Sequence, residues 1–184
     1  MKITLSVPLL FITWASSAEA TTLMRADLDL LAESHSTIVL GEVIDTYSYW
    51  SKDGTMILTD VRIAATEILK GDKSQRELTV TLMGGTVGEL TTLIVGGATL
   101  IPGRTYVLFL NEEDLPGAWR VLTVREHCQG VFDLVSSKSG LRAISQANGH
   151  PLIADDAGKF EPEGGKDGIP LADFVKAIQG KVRP

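Results

Sequence analysis

Short stretches in which apolar and polar residues alternate fill the middle of the chain, and such alternation predicts β-strands with one buried face. Glu77 to Met83 is the clearest of them, because leucine or valine alternates there with threonine. Met56 to Leu69 alternates over a greater length, which is typical of the long bent strands of small closed barrels. Thr37 to Ile44 is rich in β-branched residues, and Gly41 within it indicates a bulge or a tight bend.

The alternation also assigns a face to each position of these strands. In the long strand, Ile57, Val61 and Ile63 are predicted to face the core, whereas Leu58 falls on the solvent side. In the shorter strand, Thr81 is predicted to point outward for the same reason.

Turn-forming residues separate the predicted strands. Ser51 to Gly54 contains Asp-Gly, which is the strongest short signal for a hairpin, and Lys70 to Lys73 and Pro102-Gly103 are further turns. We count six to eight short strands without a helix between consecutive strands. This spacing predicts a mainly β fold with an antiparallel barrel or sandwich rather than a parallel sheet.

Two short amphipathic helices flank the strands. Apolar residues recur at helical spacing from Met24 to Leu31, which predicts a helix that Thr21 or Thr22 caps and that ends by His35. A second helix is predicted from Leu171 to Ile178, where a proline precedes the first turn and the apolar residues share one face.

The first twenty residues have the three parts of a secretory signal. Lys2 is followed by the apolar run Ile3 to Trp14, and Ala18 and Ala20 occupy the two positions that a signal peptidase reads. Cleavage after Ala20 therefore predicts a periplasmic or extracellular protein. A membrane anchor is the alternative, but the apolar run is shorter than the ~20 residues that span a bilayer.

Three regions follow from these patterns. Residues 1–20 form the signal peptide, and residues 21–146 form a β-barrel domain with its leading helix. Residues 147–184 form a loop-rich tail with a short terminal helix, because glycine, proline and acidic residues are frequent there.

Charge and cysteine content narrow the function classes. The 184-residue chain has a formal net charge of −6 without a basic block, which argues against nucleic-acid phosphates and anionic membranes as partners. Cys128 is the only cysteine, so the chain forms no internal disulfide, and a buried thiol is the expected state.

The titratable residues form no recognisable metal or catalytic motif. His35, His127 and His150 are far apart, and on a strand His127 would point away from Cys128. A cysteine nucleophile needs a nearby base, which folding could supply from His35 or His150. The glycines of Gly84 to Gly88 lack the Lys-Ser/Thr pair of a phosphate-binding loop. We therefore predict no metal, no cofactor and no catalytic residue.

The best candidate for a binding surface is the aromatic cluster at the end of the first strand. Tyr47 and Tyr49 share one face, and Trp50 lies on the other if the strand continues regularly. Exposed aromatic residues with a polar rim are typical of protein interfaces. The alternative is that one or two of these rings cap the open end of the barrel.

Five segments of the chain resemble a largely uncharacterised family of exported bacterial proteins. Their order and spacing carry the resemblance, and together they cover most of residues 34 to 135. The segments are Ser36-Thr-Ile-Val-Leu-Gly-Glu-Val43, Trp50-Ser-Lys-Asp-Gly54 continuing through Ile57-Leu-Thr-Asp-Val61 to Glu67-Ile-Leu-Lys-Gly71, Gly84-Gly-Thr-Val-Gly88, Pro102-Gly-Arg-Thr-Tyr-Val-Leu-Phe-Leu110 and Gln129-Gly-Val-Phe132.

The first half is also similar in pattern to the netrin-type module of tissue inhibitors of metalloproteinases. The shared features are a strand that carries Gly41 and Val43, a long bent strand, and the turn Leu69-Lys-Gly71. This resemblance implies a small antiparallel OB-like Greek-key barrel with a helix packed on it, and a protein-binding role. Those inhibitors begin with a zinc-ligating cysteine, whereas this mature chain is expected to begin with Thr21, so that inhibitory chemistry does not carry over.

The resulting hypothesis is an exported, non-catalytic binding module. Its partner would be another exported protein, a protease being one candidate, and the role would be inhibitor-like or chaperone-like. One alternative is a small secreted hydrolase that uses Cys128 or a histidine, and another is a structural envelope or matrix component. Nucleic acid and membrane insertion after signal cleavage are not expected, and the oligomeric state is left open.

Overall fold

The computed structural model describes residues 23–24, 26–125, 127–149, 152–153 and 167–182. The predicted signal peptide, its cleavage site, the capping threonines Thr21 and Thr22, and His150 lie outside the described residues. The strands are β1 (Leu23–Met24), β2 (Thr37–Trp50), β3 (Ile57–Lys70), β4 (Glu77–Met83), β5 (Gly85–Val87), β6 (Leu90–Thr92), β7 (Thr105–Leu115), β8 (Ala118–Val124), β9 (Val131–Ser137), β10 (Gly140–Ser145), β11 (Leu152–Ile153) and β12 (Ile169–Pro170), and the α-helices are α1 (Leu28–Ser34) and α2 (Leu171–Lys181).

One antiparallel sheet of eight strands dominates the described part of the chain. Its strand order is β12-β10-β9-β7-β2-β3-β4, and β8 pairs with β7 beside this path. The hairpin β5–β6 and the parallel pair β1–β11 form two small separate sheets. The prediction of a mainly β, antiparallel fold with two short helices is therefore confirmed.

The first long strand, β2, pairs irregularly with β3. Its pairing with β3 shifts register at three places, including the step from Leu40 to Gly41. A Cβ atom at Gly41 would lie 2.6 Å from the carbonyl oxygen of Ala64, so the two backbones approach too closely for any larger residue. The sequence predicts a bulge or a tight bend at Gly41, and the register shift there shows that the strand pairing is irregular at this residue.

The strand β7 connects two parts of the sheet because it changes partners along its length. Residues 105–110 pair with β2, and residues 106–108 pair on their other edge with β9. The second half of β7 forms a hairpin with β8. This hairpin brings β8 beside β4, with Cα atoms of the two strands within 8 Å of each other, although no ladder joins them in the described residues.

Two hydrophobic clusters lie on opposite faces of the sheet, because successive residues of a strand point to opposite sides. The first cluster lies under the two helices and includes Phe109, Phe132 and Phe174. The second fills the concave side and includes Val39, Val61, Leu108 and Leu110. Along β2 the alternation is direct, since Ile38 belongs to the first cluster and Val39 to the second.

The first helix begins four residues later than the pattern of apolar residues predicts. The carboxylate of Asp27 accepts a hydrogen bond from the Leu30 amide at 2.8 Å, so Asp27 is the N-cap and Leu28 is the first helical residue. Met24 lies in β1 instead of the helix. The helix ends at Ser34, as predicted. In its last turn, the ammonium group of Lys70 donates a hydrogen bond to the carbonyl of Ala32 at 2.8 Å.

The second helix follows Pro170 as predicted and extends three residues beyond Ile178. Phe174 and Ile178 are fully buried in the first cluster, beside residues of α1. Lys181 forms an ion pair with Asp29, so the last turn of α2 contacts α1. The boundary between a barrel domain and a tail at residue 147 stays a prediction. In the described residues, no helix has the length and apolar character that crossing a bilayer requires.

Two residues that the alternation placed toward solvent are buried instead. Leu58 is fully buried, because Tyr49 and Met83 are its register partners on the two neighbouring strands and cover it from both sides. Thr81 is also buried, and its hydroxyl donates to Asp60 at 2.7 Å. The outer face of these strands is therefore covered by its own cross-strand neighbours, which alternation within one strand does not reveal.

Candidate functional site

The three predicted site residues lie at the carboxyl end of β2, which remains a strand through Trp50. Tyr47 and Tyr49 share a face and stack, with ring centroids 6.0 Å apart and an interplanar angle of 17°. Trp50 pairs with Ile57 and lies on the opposite face. Tyr47 is 68% exposed and Trp50 is 43% exposed, so both rings are open to a partner.

A hydrogen-bond network fixes the orientation of Tyr49. Its hydroxyl donates to the carboxylate of Asp60 at 3.1 Å, and the same carboxylate oxygen accepts from Thr81. Burial and the neighbouring Asp60 charge raise the pKa of Tyr49, so the ring stays a neutral donor. Because these hydrogen bonds fix the ring of Tyr49, the ring of Tyr47 stacks on a surface whose orientation is already set.

The turn that follows Trp50 is held by one carboxylate. Asp53 accepts hydrogen bonds from the Ser51 hydroxyl at 2.6 Å and from the Thr55 hydroxyl at 2.8 Å. The Ser51 bond, followed by those from Thr55, lowers the pKa of Asp53. Gly54 adopts a φ of 69°, which the Asp-Gly signal predicts for this turn. The turn therefore keeps a charged carboxylate exposed beside Trp50.

A second turn packs directly against the first. Gly117, between β7 and β8, lies so close that an added Cβ atom would be 2.5 Å from Ser51 Cβ and 2.8 Å from an Asp53 carboxylate oxygen. Two residues farther along, Trp119 is 74% exposed. We call the surface formed by Tyr47, Tyr49, Trp50, Trp119 and the turns at residues 51–56 and 116–117 the aromatic end.

Sequence reasoning did not identify Trp119 as part of this surface. Its position two residues after Gly117 was the available signal, since residues close to a hairpin turn are often exposed. Its proximity to the other turn depends on the long-range contact of Gly117 with Ser51, for which the sequence holds no local sign.

A third segment reaches the same end of the sheet. Gly85 approaches the hydroxyl groups of Ser48 and Thr59, and the Gly84 amide donates to the carbonyl of Ile57 at 2.8 Å. The glycines at 84, 85 and 88 have positive φ values, a conformation that glycine adopts readily. We therefore assign them to the backbone turns of the hairpin β5–β6. This hairpin and the residues after it expose three apolar side chains, namely Leu90, Leu93 and Val95.

A partly open cavity of about 170 Å³, with both apolar and polar residues in its lining, lies next to the aromatic end. It occupies the space between the end of β4, residues 94–98 and the hairpin β7–β8. An ion pair between Arg125 and Glu113, at 2.7 Å, lies on its wall together with His127. Its apolar lining consists of Leu82, Met83, Ile94, Ala98, Leu115 and Val124.

Acidic side chains predominate around the aromatic end. Four carboxylates lie there, and none of them forms an ion pair with another residue that the structure describes. Lys52 is the basic residue in the adjacent turn. The surface therefore combines exposed apolar groups with negative charge; the carboxylates are those of Asp53, Asp60, Glu89 and Asp114.

Cys128 is buried. It is 1% exposed, and burial raises the pKa of its thiol, which disfavours the nucleophilic thiolate. Residues His127–Gly130 form a 3₁₀ helix, so the strand geometry predicted for His127 and Cys128 is wrong. His35 is buried elsewhere, against Phe109. Among the described residues, no three histidine, cysteine, aspartate or glutamate side chains could together hold a metal ion.

Comparisons of the chain with protein-family models, with curated proteins and with solved structures give no match.

Proposed function

We propose that this chain is an exported protein-binding module whose contact surface is the aromatic end. The observation that carries the proposal is the packing of Gly117 against Ser51, which places two turns and their exposed rings at one end of the sheet. Interfaces concentrate their binding energy in a few aromatic and arginine side chains, and Trp50 and Trp119 fit that description.

The finer architecture in this proposal is an OB-like Greek-key barrel. The five strands β4-β3-β2-β7-β8 follow the order of that fold, and β4 and β8 run in the same direction side by side. OB-folds bind ligands with the loop between their first two strands and the loop between their last two. In this chain, those two loops are the turns at residues 51–56 and 116–117. The strand order therefore supports the aromatic end as a binding surface.

The partner in this proposal is another exported protein. The acidic residues around the rings oppose binding of nucleic acid, because phosphates would be repelled. A protease is one candidate partner, as the pattern resemblance to netrin-type modules suggests. The burial of Cys128 works against a hydrolase that uses this thiol, so we do not propose that alternative.

The test is site-specific photo-crosslinking in cells that make the protein. A benzophenone amino acid at position 47 should give a discrete adduct with another protein, whereas the same group at the exposed Ser139, in the turn between β9 and β10, should not. Replacing Trp50 and Tyr49 with alanine should reduce the adduct at least tenfold, because both rings belong to the proposed contact surface. Adducts of equal yield from positions 47 and 139, or none from position 47, would reject the proposal.

A further inference from the structure

The cavity beside the aromatic end has the size of a single apolar side chain. An enclosed, wholly apolar cavity of ~150 Å³ accepts benzene, and this partly open cavity has a similar volume of about 170 Å³. Its wall combines aliphatic side chains with an ion pair at one side. A bulky aliphatic or aromatic group entering it would therefore exchange water for apolar contacts.

The flanks of the cavity are unusually apolar for an exposed segment. Ile94 faces the cavity, whereas its neighbours Leu93 and Val95 are 84% and 88% exposed. This segment has one half-buried and two exposed apolar residues, so it leaves apolar surface in water. Such exposed apolar surface, rimmed by polar groups, marks an interaction site.

The cavity is also continuous with the aromatic end. Leu115 on its wall is two residues from Gly117, which contacts Ser51. Met83 on the opposite wall precedes Gly84, which is hydrogen-bonded to Ile57. One partner segment can therefore contact the exposed rings and fill the cavity together.

The charges around this surface indicate the sign of the charge that the partner segment carries. The carboxylates of Asp53, Asp60, Glu89 and Asp114 are not ion-paired within the described residues, whereas Arg125 and Arg120 are each paired with a glutamate. Lys52 offsets one of these four charges, so a partner that approaches this surface still meets a net negative charge. Lysine or arginine side chains would neutralise it, and acidic ones would be repelled.

We propose that the cavity is an anchor pocket for one bulky apolar side chain, presented by an extended, positively charged segment of the partner protein. This inference rests on the proposed function and adds the chemistry of the partner. The apolar side chain would fill the space beside Ala98 and Leu115, and the basic residues on either side of it would face the carboxylates.

The test uses three short peptides and the whole protein. The probes are acetyl-Lys-Lys-Phe-Lys-Lys-amide, the same peptide with alanine in place of phenylalanine, and acetyl-Glu-Glu-Phe-Glu-Glu-amide. Titration followed by amide chemical shifts should show the first peptide binding at least tenfold more tightly than either of the others. The largest shifts should fall on residues 82–83, 94–98 and 113–115. Equal affinity for the first two peptides, or shifts that map elsewhere, would overturn the anchor pocket.

Two variants change the cavity in opposite directions. Ala98→Leu fills it and should abolish the preference for phenylalanine over alanine, whereas Thr99→Leu adds the same side chain at an exposed neighbour and should not. Met83→Ala enlarges the cavity and should favour a fourth peptide, acetyl-Lys-Lys-Trp-Lys-Lys-amide, over the phenylalanine peptide. Unchanged preferences in both cavity variants would reject the proposal even if one of them proves less stable, because amide spectra identify the folded protein.

The same variants separate this inference from the proposed function. A cross-link at position 47 that persists at full yield in Ala98→Leu would refute the pocket and leave the binding module standing. Absence of any cross-link from the benzophenone at position 47 in the otherwise unsubstituted protein would refute the module, while the peptide titration still reports on the pocket. Sedimentation should give a monomer, and a dimer that Ala98→Leu dissociates would assign the cavity to a second copy and overturn the proposal.

Discussion

Gly117 and Ser51 contact each other across two turns that are far apart in the sequence, and no residue larger than glycine fits at position 117. An added Cβ atom would lie 2.5 Å from Ser51 Cβ, and Gly117 also has a φ of 73°. Both features favour glycine: the first leaves no room for a Cβ atom, and the second is a backbone conformation that other residues rarely adopt. The contact fixes the position of Trp119 relative to Trp50, on which the proposed binding surface depends.

We expect Gly117→Ala to destabilise the protein by about 2–4 kcal/mol, because backbone strain and a steric clash add. Chemical denaturation measures this change. Gly103→Ala is the matched control, since Gly103 has a φ of 78° and open space around it. The control should lose only the strain, about 1–2 kcal/mol. Equal losses in the two variants would show that the contact with Ser51 has no energetic effect.

The turn at Asp53 should make stability depend on pH in the acidic range. Hydrogen bonds from Ser51 and then Thr55 hold the pKa of Asp53 below its ordinary value of 3.8. The charged form therefore stabilises the fold above about pH 3.8, and this stabilisation is lost as the pH falls through the lowered pKa. Asp53→Asn should have a lower melting temperature than the unmodified protein at pH 7, and the difference should shrink toward pH 2.

Asp72 offers the control for this prediction, because Ser74 lowers its pKa in the same way in a turn between β3 and β4. Asp72→Asn should show the same pH trend and leave the cross-link at position 47 intact, whereas Asp53→Asn should weaken that cross-link. A melting difference for Asp53→Asn that is constant from pH 2 to pH 7 would contradict the assignment of charge to this turn.

Much of the fold could be predicted because its signals are local. Strand alternation, the Asp-Gly turn and the irregularity at Gly41 each depend on a few consecutive residues. The helix α2 is likewise predicted from Pro170 and from the apolar face that follows it. The start of α1 was misplaced because apolar spacing continued back to Met24, whereas the helix begins where Asp27 can cap it. Capping chemistry outweighed periodicity there.

The candidate site was only partly predictable because its parts meet through long-range contacts. Tyr47, Tyr49 and Trp50 are neighbours in the sequence, so their clustering was visible. Trp119 joins them through the packing of Gly117, and the cavity forms where β4 approaches β8. Neither relationship leaves a local pattern, since both depend on how the sheet curls.

The packing of α2 predicts that the terminal helix is essential for stability. Phe174 is fully buried, with its ring centroid 4.6 Å from that of Phe132 and 6.4 Å from that of Phe109. Phe174→Ala should reduce the free energy of unfolding by about 3–5 kcal/mol, as measured by urea denaturation. Leu93→Ala, at a side chain that is 84% exposed, should change it by less than about 0.5 kcal/mol. A small effect at Phe174 would show that residues 147–184 are a dispensable tail.

The buried thiol of Cys128 predicts slow chemical modification in the native protein. Cys128 is 1% exposed, its amide donates to the Gly96 carbonyl at 3.1 Å, and burial raises the pKa of its thiol. A thiol reagent at neutral pH should therefore react only when the structure opens, so denaturant should accelerate labelling by several orders of magnitude. Phe174→Ala should speed the labelling of native protein because it lowers the cost of opening. Rapid labelling without denaturant, at a rate independent of Phe174, would contradict the buried state and return Cys128 to the list of candidate nucleophiles.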